Sequence, residues 1–406
     1  MKKIILLSSL LALSSAFAQN VTITIGGYDG PVDTATVLDL INKYVKPAVD
    51  QDGITVKYVP TADFGKSIKN QLSAGTAPDL FYLEADALPE LAASGKLTDL
   101  TKLVKSTDFL SNLNKVFTIG GKLYGVPKDF NTLVLYYNKD LFDQAKVNYP
   151  SANDTWNTFD TKITAVQKAL GGDYKGTCFP ADYARFGAFA ASTGWKPFNA
   201  QGKTVLDANF TRAFEWYASL VKKGVAVQPS QVNAGWGGDC IKSGKVATAF
   251  EGAWALNFLR DQAPNLKYGT ALLPRDPQTK GRGNLLYTVA WAVNADSKNK
   301  AAALKVLSAL TSAQTQQYVL SSGLALPSRK ALQTDPYFKK TTVEAMANKN
   351  VFTGASGNNV FPFAPGKYGA DWFGALNEAL KSTLDGTSSS ADAIKRAQDN
   401  LNRIMK

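Results

Sequence analysis

The strongest constraint on the fold is the regular alternation of predicted strands and helices in the first part of the chain. Residues 21–25 and 54–59 are rich in β-branched side chains and alternate as strands do. Apolar residues recur at helical spacing after each of them, and residues 79–83 form a short, apolar third strand. Successive strands joined through helices lie parallel in a sheet that the helices cover. The sequence therefore predicts an α/β fold.

Polar side chains collect where these predicted strands end. Ligands of open parallel sheets bind beyond the carboxyl ends of the strands, and Tyr28, Asp29, Glu84 and Asp86 occupy such ends. We expect Asp86 and Glu84 to face a ligand, although carboxylates ahead of a helix also serve as N-caps. Tyr28 and Asp29 are candidates on the same ground, and their alternative role is a plain Asp-Gly turn.

The N-terminal residues have the pattern of a secretory signal peptide. Two lysines precede a mostly apolar stretch at 4–13, and Ala16-Phe17-Ala18 supplies the small residues that signal peptidase requires. The apolar stretch is shorter than the ~20 residues of a membrane-spanning helix. We expect residues 1–18 to be a signal peptide and the mature protein to start at Gln19. A lipoprotein would carry Cys there, so we expect a soluble, periplasmic or extracytoplasmic protein without a lipid anchor.

The numbers of cysteine and histidine residues limit the kinds of disulfide, catalytic and metal site that the chain can form. Cys178 and Cys240 are the only cysteines, and in an exported chain an even count favours a disulfide between them. Two buried free thiols are the alternative. The chain has no histidine, which excludes Ser-His-Asp and Cys-His nucleophile activation, histidine-ligated metal sites and histidine pH switches.

Length and charge indicate a globular protein of two domains. The chain has 406 residues, which leaves room for two domains of ~100–200 residues after the signal peptide. Its formal net charge is +12, but lysine and arginine are scattered and form no long run of like charges. We therefore interpret the charge as a solvated basic surface and expect no nucleic-acid partner.

The strand–helix alternation breaks near Pro127, where a second region begins. A long amphipathic helix at 156–171 is followed by further predicted helices and strands. Later, a strand at 286–293 precedes a helix predicted at 300–320. The chain after Pro327 is predicted to be helical to its end.

Four groups of short motifs, in order along the chain, resemble those of the family 1 extracellular solute-binding proteins. They are APDLFY at 77–82 with SGKL at 94–97, GKLYGVP at 121–127 with LYYNKDL at 135–141, GKVA at 244–247 with EGAW at 251–254, and ADSKNKAA at 295–302. The resemblance covers essentially the whole mature chain.

This resemblance implies a two-lobe periplasmic-binding-protein fold of type II, in which each lobe is a sheet flanked by helices and hinge strands join the lobes. Because the chain of such proteins crosses between the lobes more than once, each lobe is discontinuous. The implied boundaries are 19–128 and 288–326 for one lobe, 132–284 and 330–406 for the other, and 129–131, 285–287 and 327–329 for the hinge segments.

The resemblance also implies a carbohydrate site between the lobes. Carboxylates, amides and arginine bind sugar hydroxyls, whereas the C–H faces of a sugar lie flat on aromatic rings. Asp86 matches a sugar-binding aspartate of the family, and Trp254 and Trp372 match stacking tryptophans. For each tryptophan the alternative is a place in the core.

Other residues are candidates for ligand binding because they lie near the implied hinge or cleft. Asn131 stands where relatives carry an acidic ligand, and Asp129 is a nearby carboxylate that could replace it. Arg329 could reach a hydroxyl, with a plain surface arginine as the alternative. The remaining aromatic candidates are Trp236, Tyr287, Trp291 and Tyr368.

The predicted function is that of a solute-binding protein of an ABC importer, which captures a maltose- or trehalose-like oligosaccharide and delivers it to permease subunits in the membrane. No catalytic residue, cofactor or metal is predicted, and we expect a monomer. One alternative is a binding protein for a non-sugar solute. Another is an exported glycoside hydrolase, which would need two carboxylates held across a bond.

Overall fold

The computed structural model describes residues 21–323 and 325–406, so the predicted signal peptide lies outside the described residues. Within this part of the chain, no helix has both the length and the apolar character needed to cross a membrane. Three larger sheets organise the described residues. We call the parts around the first two sheets the first lobe and the second lobe, and the third sheet the hinge sheet.

The first lobe is built on a five-stranded sheet that confirms the predicted α/β order. Its three parallel strands come from the predicted alternation, and two later segments add to it in antiparallel orientation. In spatial order the strands are Ile54–Thr61, Val21–Tyr28, Leu80–Glu84, Val289–Val293 and Val126–Pro127.

Helices of the first lobe pack on this sheet through apolar side chains such as Ile68 and Leu307, which meet Ile23 and Leu80 in one core. The α-helices are Pro31–Leu40, Lys46–Val49, Phe64–Ala74, Leu88–Ala93, Ser111–Val116, Lys300–Leu310 and Ala313–Ser321. A π-helical turn spans Ile41–Val45, 3₁₀ turns span Asp50–Asp52 and Ser106–Asp108, and a small hairpin pairs Thr118–Ile119 with Lys122–Leu123.

The second lobe has its own five-stranded, mixed sheet and a core rich in aromatic side chains. Its strands, in spatial order, are Ala226–Val227, Thr177–Cys178, Thr248–Glu251, Val134–Asn138 and Tyr268–Ala271. Its α-helices are Lys139–Ala145, Trp156–Leu170, Tyr183–Ser192, Ala208–Lys222, Gly237–Lys242, Trp254–Gln262, Val343–Gly354, Gly369–Leu384 and Ser390–Ile404. The 3₁₀ turns are Pro229–Val232, Lys330–Leu332, Pro336–Lys339 and Gly366–Tyr368.

The hinge sheet joins the two lobes. In spatial order its strands are Leu326–Pro327, Asp129–Thr132, Asn284–Tyr287 and Val360–Pro362. The chain runs from the first lobe to the second through Asp129–Thr132, returns through Asn284–Tyr287 and crosses again at Leu326–Pro327. The two crossing strands in the middle are antiparallel and hydrogen-bonded to each other, so the connection is a sheet and not a set of loose linkers.

Three predicted elements differ from the structure. The strand predicted at 286–293 is two strands, since Asn284–Tyr287 belongs to the hinge sheet and Val289–Val293 to the first-lobe sheet. The helix predicted at 300–320 is two helices, because Ser312 caps the second one by accepting a hydrogen bond from the Thr315 N–H. The region after Pro327 is not helical throughout, since Val360–Pro362 pairs in parallel with Asn284–Leu286. Three residues are too few to show a strand periodicity in the sequence.

Cys178 and Cys240 form a disulfide within the second lobe, which confirms the predicted pairing. The bond joins the strand Thr177–Cys178 to the helix Gly237–Lys242, and both cysteines are buried. It closes a loop with a sequence separation of 62 residues, so it removes many conformations from the unfolded chain.

We expect reduction of this disulfide, or the double substitution Cys178→Ala and Cys240→Ala, to lower the free energy of unfolding by about 4 kcal/mol, the loop-entropy value for this separation. Urea unfolding followed by far-UV circular dichroism, with and without dithiothreitol, measures the change. An unchanged midpoint in protein whose thiols are shown to be free would contradict the expected stabilisation.

Candidate ligand-binding site

A cavity of about 240 Å³ lies where the first lobe, the hinge sheet and the second lobe meet. Its walls combine the ends of two parallel strands, the segment that follows a hinge strand, and aromatic residues of the second lobe. The lining residues are Tyr28, Glu84, Ala85, Asp86, Tyr287, Thr288, Val289, Phe363 and Phe373. Close by, the turn Gly366–Tyr368 lies against the helix Leu88–Ala93, so the two lobes are in contact next to the cavity.

The first-lobe wall is formed where Val21–Tyr28 and Leu80–Glu84 end side by side. The Tyr28 hydroxyl donates a hydrogen bond of 2.7 Å to Glu84 Oε1. Gly27 allows the close packing behind this pair, because a Cβ atom there would lie 2.4 Å from the Tyr58 hydroxyl. That hydroxyl donates to the Tyr28 carbonyl at 3.1 Å. The end of the sheet therefore holds Tyr28 and Glu84 in one fixed arrangement.

Asp86 lines the cavity two residues beyond the strand. The helix Leu88–Ala93 begins with Ala87 at its N-cap and has no side-chain cap hydrogen bond. The alternative role of Asp86 and Glu84 as N-caps is therefore not realised, and both carboxylates belong to the cavity wall.

Aromatic rings form the opposite wall. Phe363 stacks on Phe373 with ring centroids 4.6 Å apart, and Tyr287 lies 5.1 Å from Phe363. Trp254 does not line the cavity itself, but its ring packs edge-on against Tyr287 at 5.2 Å. Four aromatic side chains thus form a continuous surface that extends from the cavity into the second lobe.

The structure separates Trp372 from this wall. Its side chain is 0% exposed, and its indole N–H donates to Thr204 Oγ1 at 2.7 Å. Its ring packs against Tyr183 in the second-lobe core. Trp372 therefore has the core role that was its alternative, and we leave it out of the candidate site. The next residue along the helix, Phe373, faces the cavity instead.

Three further candidates also lie away from the cavity lining. Trp236 packs edge-on against Phe258 at 4.8 Å. The Tyr368 hydroxyl donates to the Gly202 carbonyl at 2.8 Å. Arg329 donates through Nε to the Thr311 carbonyl at 2.6 Å and lies over the ring of Phe109, so it joins elements of the first lobe. The side chains of all three contact other parts of the fold. A fourth candidate, Trp291, is 2% exposed and lies in the first-lobe core.

The polar candidates of the hinge have structural partners as well. Asp129 forms an ion pair with Lys128, and its side chain is 11% exposed. Asn131 accepts a hydrogen bond from the Ala253 N–H at 3.0 Å, which joins a hinge strand to the turn before Trp254. Asp29 is a candidate of the first lobe and not of the hinge. It is exposed at the end of the first strand, and its backbone N–H donates to the Thr61 carbonyl.

Sequence reasoning missed Phe363 and Phe373 as cavity residues. Phe373 lies one position after Trp372, and helical periodicity alone does not tell which of two adjacent aromatic residues faces outward. Phe363 follows the unpredicted strand Val360–Pro362.

Burial raises the pKa of Glu84 above its usual value. The hydrogen bond from Tyr28 opposes this rise, the charge of Asp86 adds to it, and Lys69 lowers it slightly. Partial exclusion from water disfavours the charged form of the carboxyl group.

In the described residues no three Cys, Asp or Glu side chains form a group that could hold a metal ion.

Two lobes, a hinge sheet and an inter-lobe cavity are the features of a periplasmic binding protein of type II. The sequence pattern of the bacterial extracellular solute-binding proteins matches residues 41–347, and the chain belongs to this family. A protein of Brucella abortus (strain 2308) described as a binding protein is 29% identical over 313 residues, which are 74% of each chain.

Two further similar proteins are described with a carbohydrate. A maltooligosaccharide ABC transporter solute-binding lipoprotein of Streptococcus pneumoniae (strain ATCC BAA-255 / R6) is 26% identical over 275 residues, 64% of this chain and 62% of that protein. An ABC substrate-binding protein from Listeria monocytogenes, solved in complex with cycloalternan, superposes with a TM-score of 0.84 at 24% identity and covers 95% of this chain and 99% of that one. The structural likeness confirms the predicted fold.

The raised pKa of Glu84 predicts a pH-dependent stability. A carboxyl group whose pKa is raised by folding stabilises the fold when protonated, and this contribution is lost as pH rises through the folded-state pKa. We therefore expect Glu84→Gln to have the same melting temperature as the unaltered protein at about pH 4 and a higher one at neutral pH.

Thermal melts across this pH range test the expectation. The control variant is Glu378→Gln, which changes an exposed glutamate of the second lobe. If the difference between Glu84→Gln and the unaltered protein does not grow with pH, burial of Glu84 does not affect its titration in the way described.

Proposed function

We propose that this chain is the carbohydrate-capturing component of an ABC importer. It is exported through the signal peptide at 1–18, binds an oligosaccharide between its lobes and delivers it to permease subunits in the membrane. The observation that carries this proposal is the composition of the cavity: two carboxylates on the first-lobe wall face aromatic rings on the opposite wall. The family membership of the chain supports the same function.

The two walls match the two kinds of surface that a sugar presents. The carboxylates of Glu84 and Asp86 accept hydrogen bonds from hydroxyl groups. The rings of Tyr287, Phe363 and Phe373 offer flat apolar surfaces for the C–H faces. An amino acid would also need a cation to pair with its carboxylate, and no lysine or arginine is among the described residues that line the cavity. The lining therefore favours a neutral, polyhydroxylated ligand.

A maltose- or trehalose-like saccharide is the ligand we favour. One relative is named for maltooligosaccharide and another holds cycloalternan. The cavity of about 240 Å³ is smaller than the roughly 300–1,000 Å³ typical of drug-sized ligands. It therefore suits a short saccharide while the lobes are this close, and a longer one requires wider separation.

Ligand capture would proceed by movement of the lobes about the hinge sheet. We assign the lobes to 19–128 with 288–326 and to 132–284 with 330–406, and the hinge to 129–131, 285–287 and 327–329. Val360–Pro362, in the second of these lobes, pairs with Asn284–Leu286 beside the hinge. A sugar contacts both walls only when the lobes are together, so binding shifts the population toward the closed form. The closed monomer is the form that docks on the permease.

The arrangement of the carboxylates supports binding without catalysis. A glycoside hydrolase needs two carboxylates that flank the scissile bond. Glu84 and Asp86 lie two residues apart on one wall, and the second-lobe residues that line the cavity are phenylalanines.

We expect a short α-glucoside to raise the melting temperature of the protein and to be recovered intact. A ligand at ~100 times its dissociation constant adds about 2.7 kcal/mol to the free energy of unfolding. The measurement is a thermal-shift screen of the mature protein with maltose, maltotriose, trehalose, glucose, polyols, amino acids and calcium. Chromatography of the recovered sugar detects any cleavage.

A response to amino acids or calcium, with none to the sugars, would refute the carbohydrate assignment and leave the family membership intact. Appearance of glucose from maltotriose would refute the assignment as a binding protein without catalysis.

The assignment of the two walls predicts opposite behaviour for two adjacent aromatic residues. We expect Asp86→Ala and Phe373→Ala to weaken sugar binding at least tenfold, about 1.4 kcal/mol each, because each removes a cavity contact. Trp372→Phe should leave affinity unchanged but lower stability by about 1–3 kcal/mol, since it removes buried volume and the hydrogen bond that the Thr204 hydroxyl accepts from the indole. Isothermal titration calorimetry and urea unfolding separate the two effects. Loss of affinity in Trp372→Phe, with Phe373→Ala unaffected, would reverse the assignment.

A further inference from the structure

A buried ion pair lies directly behind the aromatic wall. Arg185 donates to Glu251 through both Nη2, at 2.7 Å to Oε2, and Nε, at 3.2 Å to Oε1. The side chain of Glu251 is 1% exposed and that of Arg185 is 15% exposed. Neither residue is among those that line the cavity.

The same carboxylate holds Trp254. The Trp254 indole N–H donates to Glu251 Oε2 at 2.8 Å, and the Arg185 guanidinium lies 5.7 Å from the centre of the Trp254 ring. The pair therefore contacts the indole at its N–H edge and over its face. These contacts restrict both rotation and tilt of a side chain that is only half-buried.

Glycines make room for this arrangement. A Cβ atom at Gly237 would lie 2.4 Å from Glu251 Oε1, and one at Gly252 would lie 2.3 Å from the Trp254 ring. The Gly252 carbonyl accepts a hydrogen bond from the Tyr136 hydroxyl at 2.9 Å. The turn from Glu251 to Trp254 is therefore held at several points, and the indole folds back closely over it.

The second support of the wall comes from the helix that carries Arg185. The Tyr287 hydroxyl donates to the carbonyl of Ala184, and Tyr287 contacts both Trp254 and the cavity. One helix, Tyr183–Ser192, thus supports Trp254 through Arg185 and Tyr287 through Ala184.

We propose that Arg185 and Glu251 are positioning residues that hold the Trp254–Tyr287 pair in its sugar-binding orientation and thereby set the affinity for the ligand. Stability alone does not account for the pair, because well-packed apolar residues often replace buried ion pairs without loss of stability. An oriented aromatic surface lowers the entropic cost of ligand binding. The effect on affinity rests on the proposed carbohydrate function, whereas the effect on the orientation of Trp254 does not.

The experiment therefore begins without sugar. Protein labelled with 5-fluorotryptophan gives ¹⁹F resonances, of which that of Trp254 is assigned by its loss in Trp254→Phe. We expect Glu251→Gln and Arg185→Met to shift and broaden the Trp254 resonance, because the charged support of the ring is gone. The matched control is Asp276→Asn, which removes the negative charge from the ion pair of Asp276 with Arg212 in the second lobe. The Asp276 side chain is 0% exposed. It should leave the Trp254 resonance unchanged.

Calorimetric titration with maltotriose then measures affinity. We expect Glu251→Gln to raise the dissociation constant at least tenfold in the unaltered background and less than threefold in the Trp254→Phe background, since it acts through the indole N–H. Asp276→Asn should change the dissociation constant less than twofold, even where its melting temperature falls as far as that of Glu251→Gln.

An unchanged Trp254 resonance in both folded variants would overturn the positioning role. An equal loss of affinity with and without the indole N–H would overturn the proposed route through Trp254. If the resonance shifts as expected but the unaltered protein binds no maltotriose, the positioning role stands and the proposed ligand is wrong.

Discussion

The pairing of backbone strands in the hinge sheet is the constraint on which the rest of the structure depends. Asp129–Thr132 and Asn284–Tyr287 lie far apart in sequence but exchange ladder hydrogen bonds, and the Asn284 side chain bonds both backbone groups of Leu133. These bonds satisfy buried polar groups that could not remain unpaired. They also determine where each lobe starts, so they bring the carboxyl ends of the first-lobe strands opposite the aromatic residues of the second lobe.

The two walls of the cavity are built in different ways. The first-lobe wall follows from local order, since parallel strands end together and place Tyr28 beside Glu84. The second wall is assembled from segments that are distant in sequence: Tyr287 from a hinge strand, Phe363 after a short strand, and Phe373 from a late helix. Its support is electrostatic as well as apolar. Burial raises the pKa of Glu251, and the charge and hydrogen bonds of Arg185 offset part of that rise.

Predictions from the sequence were right where a pattern is local and wrong where distant parts of the chain set the environment of a residue. Alternating and helical patterns located the first-lobe strands correctly, because their period is contained in a few consecutive residues. Trp372 and Phe373 are neighbours on one helix, and only the packing of that helix in the second lobe decides that Trp372 is the fully buried ring. Val360–Pro362 has no pattern of its own and becomes a strand through pairing with Asn284–Leu286. Arg329 is drawn away from the cleft by the Thr311 carbonyl, a contact that no local motif indicates.

The sequence by itself predicted the α/β order and the carboxylates at the strand ends, because both depend on local periodicity. It favoured the pairing of the two cysteines by their even count, and it indicated the family through short motifs, each of which lies within a few consecutive residues. Only the tertiary structure decided which aromatic residues face the cavity, that Arg185 pairs with Glu251 behind Trp254, and that the sheet between the lobes has four strands. The physical reason is that these contacts join residues tens to hundreds of positions apart, and their geometry exists only once both lobes have packed.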